Sequence, residues 1–258
     1  MLNIESKTVV ITGGGSGIGA SMVKCFAGRG ARVVILELDL DKANQLVSEI
    51  GYSDNRITCH QVDVANQSLV LQVMQRIIDD QGSIDILINN AGISQVGSLD
   101  KTTEQDFDRV FNVNVKGVYN CLLGVIEHMK SKRSGVILNM CSVAATVGLK
   151  DRFAYSATKG AIRSITFSVA KDYLPYNIRC NSISPARVHT PFVDDYLKKN
   201  YPGREQEIFE QLASSQPIGR MAAPEEIANL ALYLCSEEAS FITGTDYPID
   251  GGFIKLNT

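Results

Sequence analysis

The sequence predicts an α/β fold: a doubly wound, mostly parallel seven-stranded sheet with helices on both faces. Short β-branched and apolar runs alternate with amphipathic helical segments along all 258 residues. Within the runs, polar and apolar residues do not alternate, which is typical of strands covered on both faces. Strands of this kind, joined by helices through right-handed crossovers, predict one domain over residues 1–258.

The individual elements follow from the same alternation. Strands are predicted at residues 8–11, 32–36, 57–62, 84–88, 136–140, 178–183 and 245–249. The main helices are predicted at residues 17–30, 41–50, 69–78, 103–129, 154–172 and 224–234. A long break at about residues 186–219 has no strand pattern and only short helical pieces. A segment of this kind after a strand is typical of a substrate loop or lid.

Composition and charge exclude several classes of protein. Hydrophobic residues make up 45% and charged residues 21% of the chain, which indicates a sizeable core. A net charge of −3 without a long basic stretch argues against a nucleic-acid partner. No apolar run approaches the ~18 residues of a membrane span, and residues 1–7 do not resemble a signal peptide, so we expect a cytoplasmic protein. Six scattered cysteines without a CxxC pair or a His cluster indicate reduced thiols and no metal site.

A glycine-rich run, TGGGSGIG at residues 12–19, follows the first strand and opens the first helix. Glycines permit a tight turn and let the backbone approach a pyrophosphate, while the helix N-terminus offers N–H groups to the phosphates. The strand before the run and the helix after it are the context that this motif requires. We therefore predict a nucleotide site, with loop contacts at Gly13, Ser16, Gly17, Ile18 and Gly19.

Glu37 ends the second strand, 18 residues after Gly19. A carboxylate at this distance suits the ribose hydroxyls of NAD and repels the extra phosphate of NADP. Ser16 stands where an arginine could have met that phosphate, so we expect NAD as the cofactor. Asp63 and Val64, at the end of the third strand, are expected to contact the adenine.

Tyr155 and Lys159 are four residues apart on a predicted helix, so they share one face, one turn from each other. The ammonium favours the phenolate form of a neighbouring phenol. The pair is therefore a candidate proton donor and acceptor for alcohol–carbonyl chemistry. Ser142 ends a strand upstream and adds a hydroxyl to the candidate site.

In order and spacing, these motifs resemble those of the short-chain dehydrogenase/reductase family. The matching features are TGGGSGIG, Asp63-Val64, NNAG at residues 89–92, Asn114, Ser142, Tyr155-xxx-Lys159 and Pro185-xxxx-Thr190. The resemblance covers nearly the whole chain, as far as Gly251 and Gly252. It implies a Rossmann-type fold and hydride transfer between a nicotinamide and a carbinol carbon.

The resemblance also implies what the site residues do. Tyr155 would be the general acid/base, supported by Lys159, which would also bond the nicotinamide ribose. Ser142 would orient the substrate oxygen, and Asn114 would help to hold a water that links Lys159 to solvent. Further cofactor contacts are implied at Asn90, Ala91, Gly92, Val188 and Thr190. One departure is Ala186, where the family commonly has glycine, and it leaves the local backbone path open.

Basic residues lie in the segments expected to line the substrate pocket. Arg187 follows the sixth strand, and Arg152 precedes Tyr155 by three residues. A guanidinium holds a carboxylate in a two-pronged geometry, which favours an anionic small-molecule substrate. The alternative is that these are surface charges or pair with nearby aspartates, namely Asp151, Asp194 or Asp195. The predicted substrate contacts are Ser94, Ser142, Arg152, Tyr155 and Arg187.

The segment that begins at Pro185 resembles enzymes of deoxysugar catabolism that oxidise 2-keto-3-deoxy acids such as 2-keto-3-deoxy-L-fuconate. A 3-hydroxybutyrate-type dehydrogenase and a 3-oxoacyl-carrier-protein reductase remain alternatives, and the latter usually prefers NADP. A non-catalytic NAD-binding sensor is the alternative outside enzymes. The family resemblance implies a homotetramer, with dimer faces on the helix near residues 103–129 and on the helix that carries Tyr155.

Overall fold

In the computed structural model, which describes residues 2–52 and 56–256, strands and helices alternate along the chain. The strands are β1 (Thr8–Thr12), β2 (Arg32–Glu37), β3 (Ile57–Gln61), β4 (Ile86–Asn89), β5 (Gly135–Met140), β6 (Ile178–Pro185) and β7 (Asp246–Ile249). The helices are α1 (Gly17–Ala27), α2 (Leu40–Ile50), α3 (Gln67–Gln81), α4 (Glu104–Phe111), α5 (Gly117–Lys132), α6 (Phe153–Tyr173), α7 (Pro191–Asn200), α8 (Glu205–Ser214), α9 (Pro224–Cys235) and α10 (Phe253–Leu256).

The strands form one sheet in the order β3-β2-β1-β4-β5-β6-β7. Every pairing of neighbouring strands in this order is parallel, so the predicted doubly wound α/β fold is confirmed and the described sheet is wholly parallel. The strand order reverses between β1 and β4. In open sheets of this kind, ligands bind beyond the carboxyl ends of the strands at such a reversal.

The core lies on both faces of the sheet because successive strand residues point to opposite sides. Val9 and Ile11 of β1 pack into a cluster with Phe26 of α1 and residues of α9. Val10, between them in sequence, packs on the other face with residues of α3, α5 and α6. These side chains are essentially inaccessible to solvent, which explains why the strand sequences are apolar without alternation.

The helix predicted over residues 103–129 is interrupted. α4 ends at Phe111, a π-helical turn covers Asn112–Lys116, and α5 then continues to Lys132. A π-turn inserts one extra residue into a helix and is frequent at functional sites. Asn114 lies in this turn and is 1% exposed, so the irregularity directs a polar side chain into the protein.

The segment predicted as a loop at about residues 186–219 consists mainly of α7 and α8. The segment leaves the carboxyl end of β6. The chain before it and the chain after it are joined where Val188 pairs with Ala222. α7 begins with a proline at its first position, and Gly203 between the two helices has a φ of +81°. Among the described residues, no helix is both long enough and apolar enough to cross a bilayer.

Candidate active site

The glycine loop is held against the segment that follows β4. Gly13 has a φ of +64°, and a Cβ at this position would lie 2.9 Å from Ala91 Cα. At Gly19 a Cβ would lie 2.0 Å from the Gly13 carbonyl oxygen, a distance that no side chain tolerates. Both positions therefore require glycine for physical reasons, the first for its backbone conformation and the second for space.

The start of α1 fits the phosphates of a dinucleotide. The N-cap residue, Ser16, is exposed and makes no side-chain cap to the helix. Within the described residues, the N–H groups of Gly17, Ile18 and Gly19 donate to no protein acceptor. Free donors and the positive end of the helix dipole at a glycine turn are the features that hold phosphate oxygens.

Asn90 and Ala91 fix the loop through hydrogen bonds to its first residues. Asn90 Nδ2 donates to the carbonyls of Thr12 (3.0 Å) and Gly13 (2.9 Å). The backbone N–H groups of Asn90 and Ala91 both donate to Thr12 Oγ1, at 3.0 and 2.9 Å. Sequence reasoning missed Thr12 as a supporting residue, although a threonine at the last position of β1 was the available signal.

The Glu37 carboxylate contacts the glycine loop directly. Its Oε2 accepts a hydrogen bond from the Gly15 N–H at 2.9 Å, and its Oε1 accepts one from the Leu38 N–H at 2.9 Å. The negative charge is therefore fixed at the carboxyl end of β2, next to the start of the nucleotide loop. A phosphate placed beside it would meet like-charge repulsion.

Asp63 and Val64 follow the carboxyl end of β3, at the same edge of the sheet as the glycine loop. Asp63 is exposed, and its Oδ1 accepts from the Ala65 N–H at 2.9 Å. Val64 is buried, and its carbonyl accepts from Asn120 Nδ2 at 2.8 Å. The Asp63 carboxylate thus stabilises its own turn while it remains open to solvent.

Lys159 is buried beneath the candidate catalytic tyrosine. Its side chain is 6% exposed, and Nζ donates to the Met140 carbonyl at 2.7 Å. The same Nζ lies 5.7 Å from the centroid of the Tyr155 ring. Ser142, two residues beyond Met140, is 8% exposed, and its Oγ accepts from the Ala144 N–H at 3.2 Å. The structure therefore brings Lys159 of α6 to the end of β5, where Ser142 begins the next turn.

Asn114 joins the segment after β4 to α6. Its Oδ1 accepts from the Ile93 N–H (2.8 Å), and its Nδ2 donates to the Ile93 carbonyl (2.9 Å) and to Thr158 Oγ1 (3.1 Å). A Cβ on Gly92 would lie 3.3 Å from Asn114 Oδ1 and 3.7 Å from Lys159 Nζ. Three residues of the candidate site therefore lie together near the segment that follows β4, namely Asn114, Gly92 and Lys159.

The cysteine next to Ser142 is not arranged as a nucleophile. The Cys141 thiol is buried and donates to the Lys159 carbonyl at 3.2 Å. Burial raises the pKa of this thiol, which disfavours the thiolate that nucleophilic chemistry needs. Cys141 is therefore a packing residue that helps to hold α6 against β5.

Residues 187–190 run from the end of β6 to the glycine loop. The Ala222 N–H donates to the Arg187 carbonyl, and the His189 N–H donates to the Ala222 carbonyl, both at 2.9 Å. This pairing buries Val188, and Thr190 Cγ2 lies 3.4 Å from where a Cβ on Gly17 would be. Ala186 does not disturb the path, because its φ is not positive and its N–H donates to the Ile249 carbonyl at 3.3 Å.

Arg152 and Arg187 lie close enough for their charges to interact. Burial and, after it, the charge of Arg152 lower the pKa of the Arg187 guanidinium. Neither residue forms an ion pair with any carboxylate of residues 2–52 and 56–256. Asp194, one of the aspartates considered as a partner, instead contacts His189, whose Nε2 lies 2.8 Å from its Oδ1. The two guanidinium groups therefore leave uncompensated positive charge near the helix that carries Tyr155.

Several polar residues of this region were not predicted as site residues. Tyr196 of α7 interacts with both arginines, and Ser215 at the end of α8 contacts Arg187. Gln95 is 7% exposed, and its Oε1 has no hydrogen-bond partner among the described residues. Ser94, predicted as a substrate contact, is half-buried beside it, and the described structure gives its hydroxyl no hydrogen bond.

Comparisons with known proteins agree with this arrangement. A family model described as enoyl-(acyl carrier protein) reductase matches residues 13–254. Oxidoreductase UcpA of Salmonella typhimurium (strain LT2) is 34% identical over 253 residues, covering 98% of this chain and 96% of that protein.

Two solved structures share the fold over almost their full length. The 3-ketoacyl-(acyl-carrier-protein) reductase from Brucella melitensis, complexed with NADH, is 33% identical with a TM-score of 0.88, covering 98% of this chain and 100% of that one. The L-sorbose reductase from Gluconobacter frateurii, complexed with NADPH and L-sorbose, is 29% identical with a TM-score of 0.93, covering 98% of both chains.

The glycine loop at the sheet reversal and the neighbouring Ser, Tyr and Lys side chains lie in a Rossmann-type fold that this oxidoreductase shares with solved reductases that bind NADH or NADPH. The chain belongs to the short-chain dehydrogenase/reductase family, whose members act on CH–OH groups.

Replacing Gly19 tests the nucleotide loop. We expect Gly19→Ala to raise the Kd for NADH at least about tenfold, because its Cβ would displace the Gly13 carbonyl that Asn90 holds. Titration of NADH fluorescence measures the change. Gly148→Ala is the matched control, since a Cβ there meets nothing within 4 Å. Equal affinity of both variants for NADH would contradict the expectation.

Proposed function

We propose that this protein is an NAD-dependent dehydrogenase that oxidises a secondary hydroxyl of an anionic sugar acid, such as 2-keto-3-deoxy-L-fuconate. The observation that carries the proposal is the pair Arg152 and Arg187, two guanidinium groups without a carboxylate partner among the described residues. A guanidinium without a carboxylate partner keeps N–H donors available for an incoming anion. A substrate carboxylate is such an anion, and Ser94 is the proposed additional polar contact.

The choice of NAD rests on Glu37. Its carboxylate already accepts hydrogen bonds from two backbone N–H groups, so its charge stays at the end of β2. Ribose hydroxyls can donate to a carboxylate, whereas a 2′-phosphate would be repelled. The neighbouring position in the loop is Ser16, which brings no positive charge.

In the proposed site, the dinucleotide would be held beyond the carboxyl ends of the strands, where the strand order reverses between β1 and β4. The residues proposed to hold it are Gly13, Ser16, Gly17, Ile18, Gly19, Glu37, Asp63, Val64, Asn90, Ala91, Gly92, Tyr155, Lys159, Val188 and Thr190. When bound, the nicotinamide group supplies the hydride chemistry. The protein orients the substrate. One of its side chains takes the proton from the substrate oxygen during oxidation or donates a proton to it during reduction.

The four proposed catalytic residues divide this work. In the oxidation direction, Tyr155 Oη takes the proton of the substrate hydroxyl, and Ser142 Oγ orients that oxygen through a hydrogen bond. The Lys159 ammonium stabilises negative charge on the phenol oxygen and binds a ribose hydroxyl. Asn114 supports Lys159 from the segment after β4 and helps to hold a water that relays the proton to solvent.

Two other enzyme activities are compatible with parts of this site. A 3-hydroxybutyrate-type dehydrogenase would also use the arginine pair, because its substrate carries a carboxylate. A 3-oxoacyl-carrier-protein reductase is supported by the relative from Brucella melitensis. Such an enzyme would have no evident use for the charges of Arg152 and Arg187, so we favour an acid as the substrate. The resemblance of the segment that begins at Pro185 favours the sugar acid. Because the chain belongs to a family of dehydrogenases and reductases, we favour an enzyme over a non-catalytic NAD-binding sensor.

We also propose that the protein forms a homotetramer in the cytoplasm. α5 and α6 carry large apolar side chains that are exposed in the single chain, namely Tyr119, Leu123 and Phe167. Large apolar side chains that are exposed in a single chain support an interface on these helices. All six cysteines are free, as expected of a reducing compartment.

Replacing Tyr155 tests the chemistry. We expect Tyr155→Phe to lower kcat by about 10²–10⁴-fold, because the ring remains but the proton-transferring hydroxyl is lost. NADH formation followed at 340 nm measures kcat, and NADH fluorescence shows whether cofactor binding is kept. Tyr173→Phe, on the last turn of the same helix, is the control. Unchanged turnover in Tyr155→Phe would refute the proposed mechanism.

Replacing Glu37 tests the cofactor choice. We expect Glu37→Ala to shift the ratio of kcat/KM for NADP to that for NAD upward by about tenfold or more, because the repulsion of the 2′-phosphate is removed. Steady-state kinetics with both cofactors give this ratio. Asp41→Ala is the control, an exposed acid on the first turn of α2. A wild-type preference for NADP would overturn the assignment of NAD.

Replacing Arg187 tests the substrate class. We expect Arg187→Ala to raise KM for 2-keto-3-deoxy-L-fuconate about 10- to 100-fold, as the loss of a charge-assisted hydrogen bond predicts. Initial rates over a panel of sugar acids, 3-hydroxybutyrate and neutral secondary alcohols establish the substrate class. Arg204→Ala is the control, because that guanidinium pairs with Glu207 at 2.7 Å. Activity restricted to neutral alcohols, or an unchanged KM in Arg187→Ala, would exclude the anionic substrate.

A further inference from the structure

The residue after α8, Ser215, forms a small hydrogen-bond network with Arg187. Ser215 Oγ donates to the Leu212 carbonyl at 2.7 Å, accepts from Arg187 Nε at 3.1 Å and accepts from Gln216 Nε2 at 3.0 Å. A hydroxyl has one donor and two acceptor positions, so these three contacts use all of them. The oxygen that meets Arg187 is therefore fixed in place rather than free to rotate.

Gln216 adds a second contact between the end of α8 and the residues that follow β6. It is 3% exposed, and its Oε1 lies 3.5 Å from the Arg187 backbone nitrogen. Arg187 is thus held at its backbone by one residue and at its Nε by the neighbouring residue. The end of α8 and the exit of β6 are thereby joined at the arginine proposed to bind the substrate.

The contact at Nε has a consequence for the rest of the guanidinium. A guanidinium is planar and carries five N–H donors in a fixed fork. With Nε bonded to Ser215, the terminal Nη1 and Nη2 groups of Arg187 have no hydrogen bond or ion pair with any other described residue. These terminal groups form the edge that binds a carboxylate with two parallel hydrogen bonds.

Tyr196 of α7 lies in the same region. The charges of Arg152 and Arg187 both act on Tyr196, so the two arginines lie near the α7–α8 segment. A hydrogen bond with Tyr201 and, after it, burial raise the pKa of Tyr196, and this hydrogen bond engages its hydroxyl. The region therefore carries two cations beside the Arg187 edge that Ser215 leaves free.

We infer that Ser215 is a positioning residue for substrate recognition: by holding Arg187 Nε, it presents the Nη1–Nη2 edge to the substrate carboxylate. This inference rests on the proposed function, because it needs an anionic substrate. It assigns the α7–α8 segment a direct part in distinguishing acids from neutral alcohols. The distinction arises from how one guanidinium is oriented rather than from its charge alone.

The experiment compares Ser215→Ala with Ser215→Thr, which keeps the hydroxyl, and with Ser214→Ala. Ser214 is the matched control, because its hydroxyl donates to the Gln211 carbonyl and does not contact Arg187. KM and kcat are measured with NAD and 2-keto-3-deoxy-L-fuconate, and calorimetry gives the Kd of the same acid for enzyme saturated with NADH. The Kd for NADH alone reports whether the cofactor site is intact.

We expect Ser215→Ala to raise KM and the calorimetric Kd of the acid about five- to tenfold, with kcat within about twofold of wild type and NADH affinity unchanged. Ser215→Thr restores the acid affinity, and Ser214→Ala equals wild type. An unchanged KM and Kd in Ser215→Ala, or a parallel loss of kcat and NADH affinity, would overturn the positioning role. If Arg187→Ala raises KM while Ser215→Ala does not, the proposed function stands and only this inference fails. If Arg187→Ala leaves KM unchanged, the anionic substrate itself is refuted.

Discussion

The hydrogen bond from Lys159 Nζ to the Met140 carbonyl connects the two elements on which the site depends. A buried ammonium is costly unless acceptors surround it, so this 2.7 Å contact compensates for removing the charge from water. It also fixes α6 against the end of β5, and the Cys141 thiol strengthens the same junction by donating to the Lys159 carbonyl. Since Tyr155 lies one turn before Lys159, and Ser142 directly follows Cys141, one junction sets the geometry of all three side chains.

The glycine loop depends on the same region through a chain of contacts. Asn90 holds the loop, Ile93 is held by Asn114, and Asn114 reaches Thr158 on α6. The Thr158 hydroxyl in turn donates to the Tyr155 carbonyl at 2.7 Å. The glycine loop and the helix that carries Tyr155 are therefore linked through the residues that follow β4, where the strand order reverses.

Much of this architecture could be predicted from the sequence because it depends on local patterns. The strands are apolar because both faces are covered, and TGGGSGIG must turn sharply between β1 and α1, so both features are visible in single segments. The π-turn at Asn112–Lys116 was not predictable in this way, because its sequence continues a helical pattern without proline or glycine inside it. Its cause is tertiary, since Asn114 must reach both Ile93 and Thr158.

The contacts of the α7–α8 segment could likewise not be predicted from the sequence. Arg187 could be identified as a candidate from its place after β6, but its partner Ser215 lies 28 positions away at the end of a helix whose packing no local pattern specifies. Likewise Glu37 was predicted from its spacing, whereas its hydrogen bond to the Gly15 N–H depends on how the loop folds back over β2. Residue types and order indicate the chemistry, and tertiary packing decides which groups meet.

The reversal of strand order between β1 and β4 separates two groups of side chains at the carboxyl ends of the strands. On one side of it, β2 ends at Glu37 and β3 leads to Asp63. On the other side, β5 leads to Ser142 and β6 leads to Arg187. In the proposed function, the residues that select the dinucleotide therefore lie apart from those that select the substrate. A lineage built on this scaffold can alter either property by a few substitutions while the other is inherited intact.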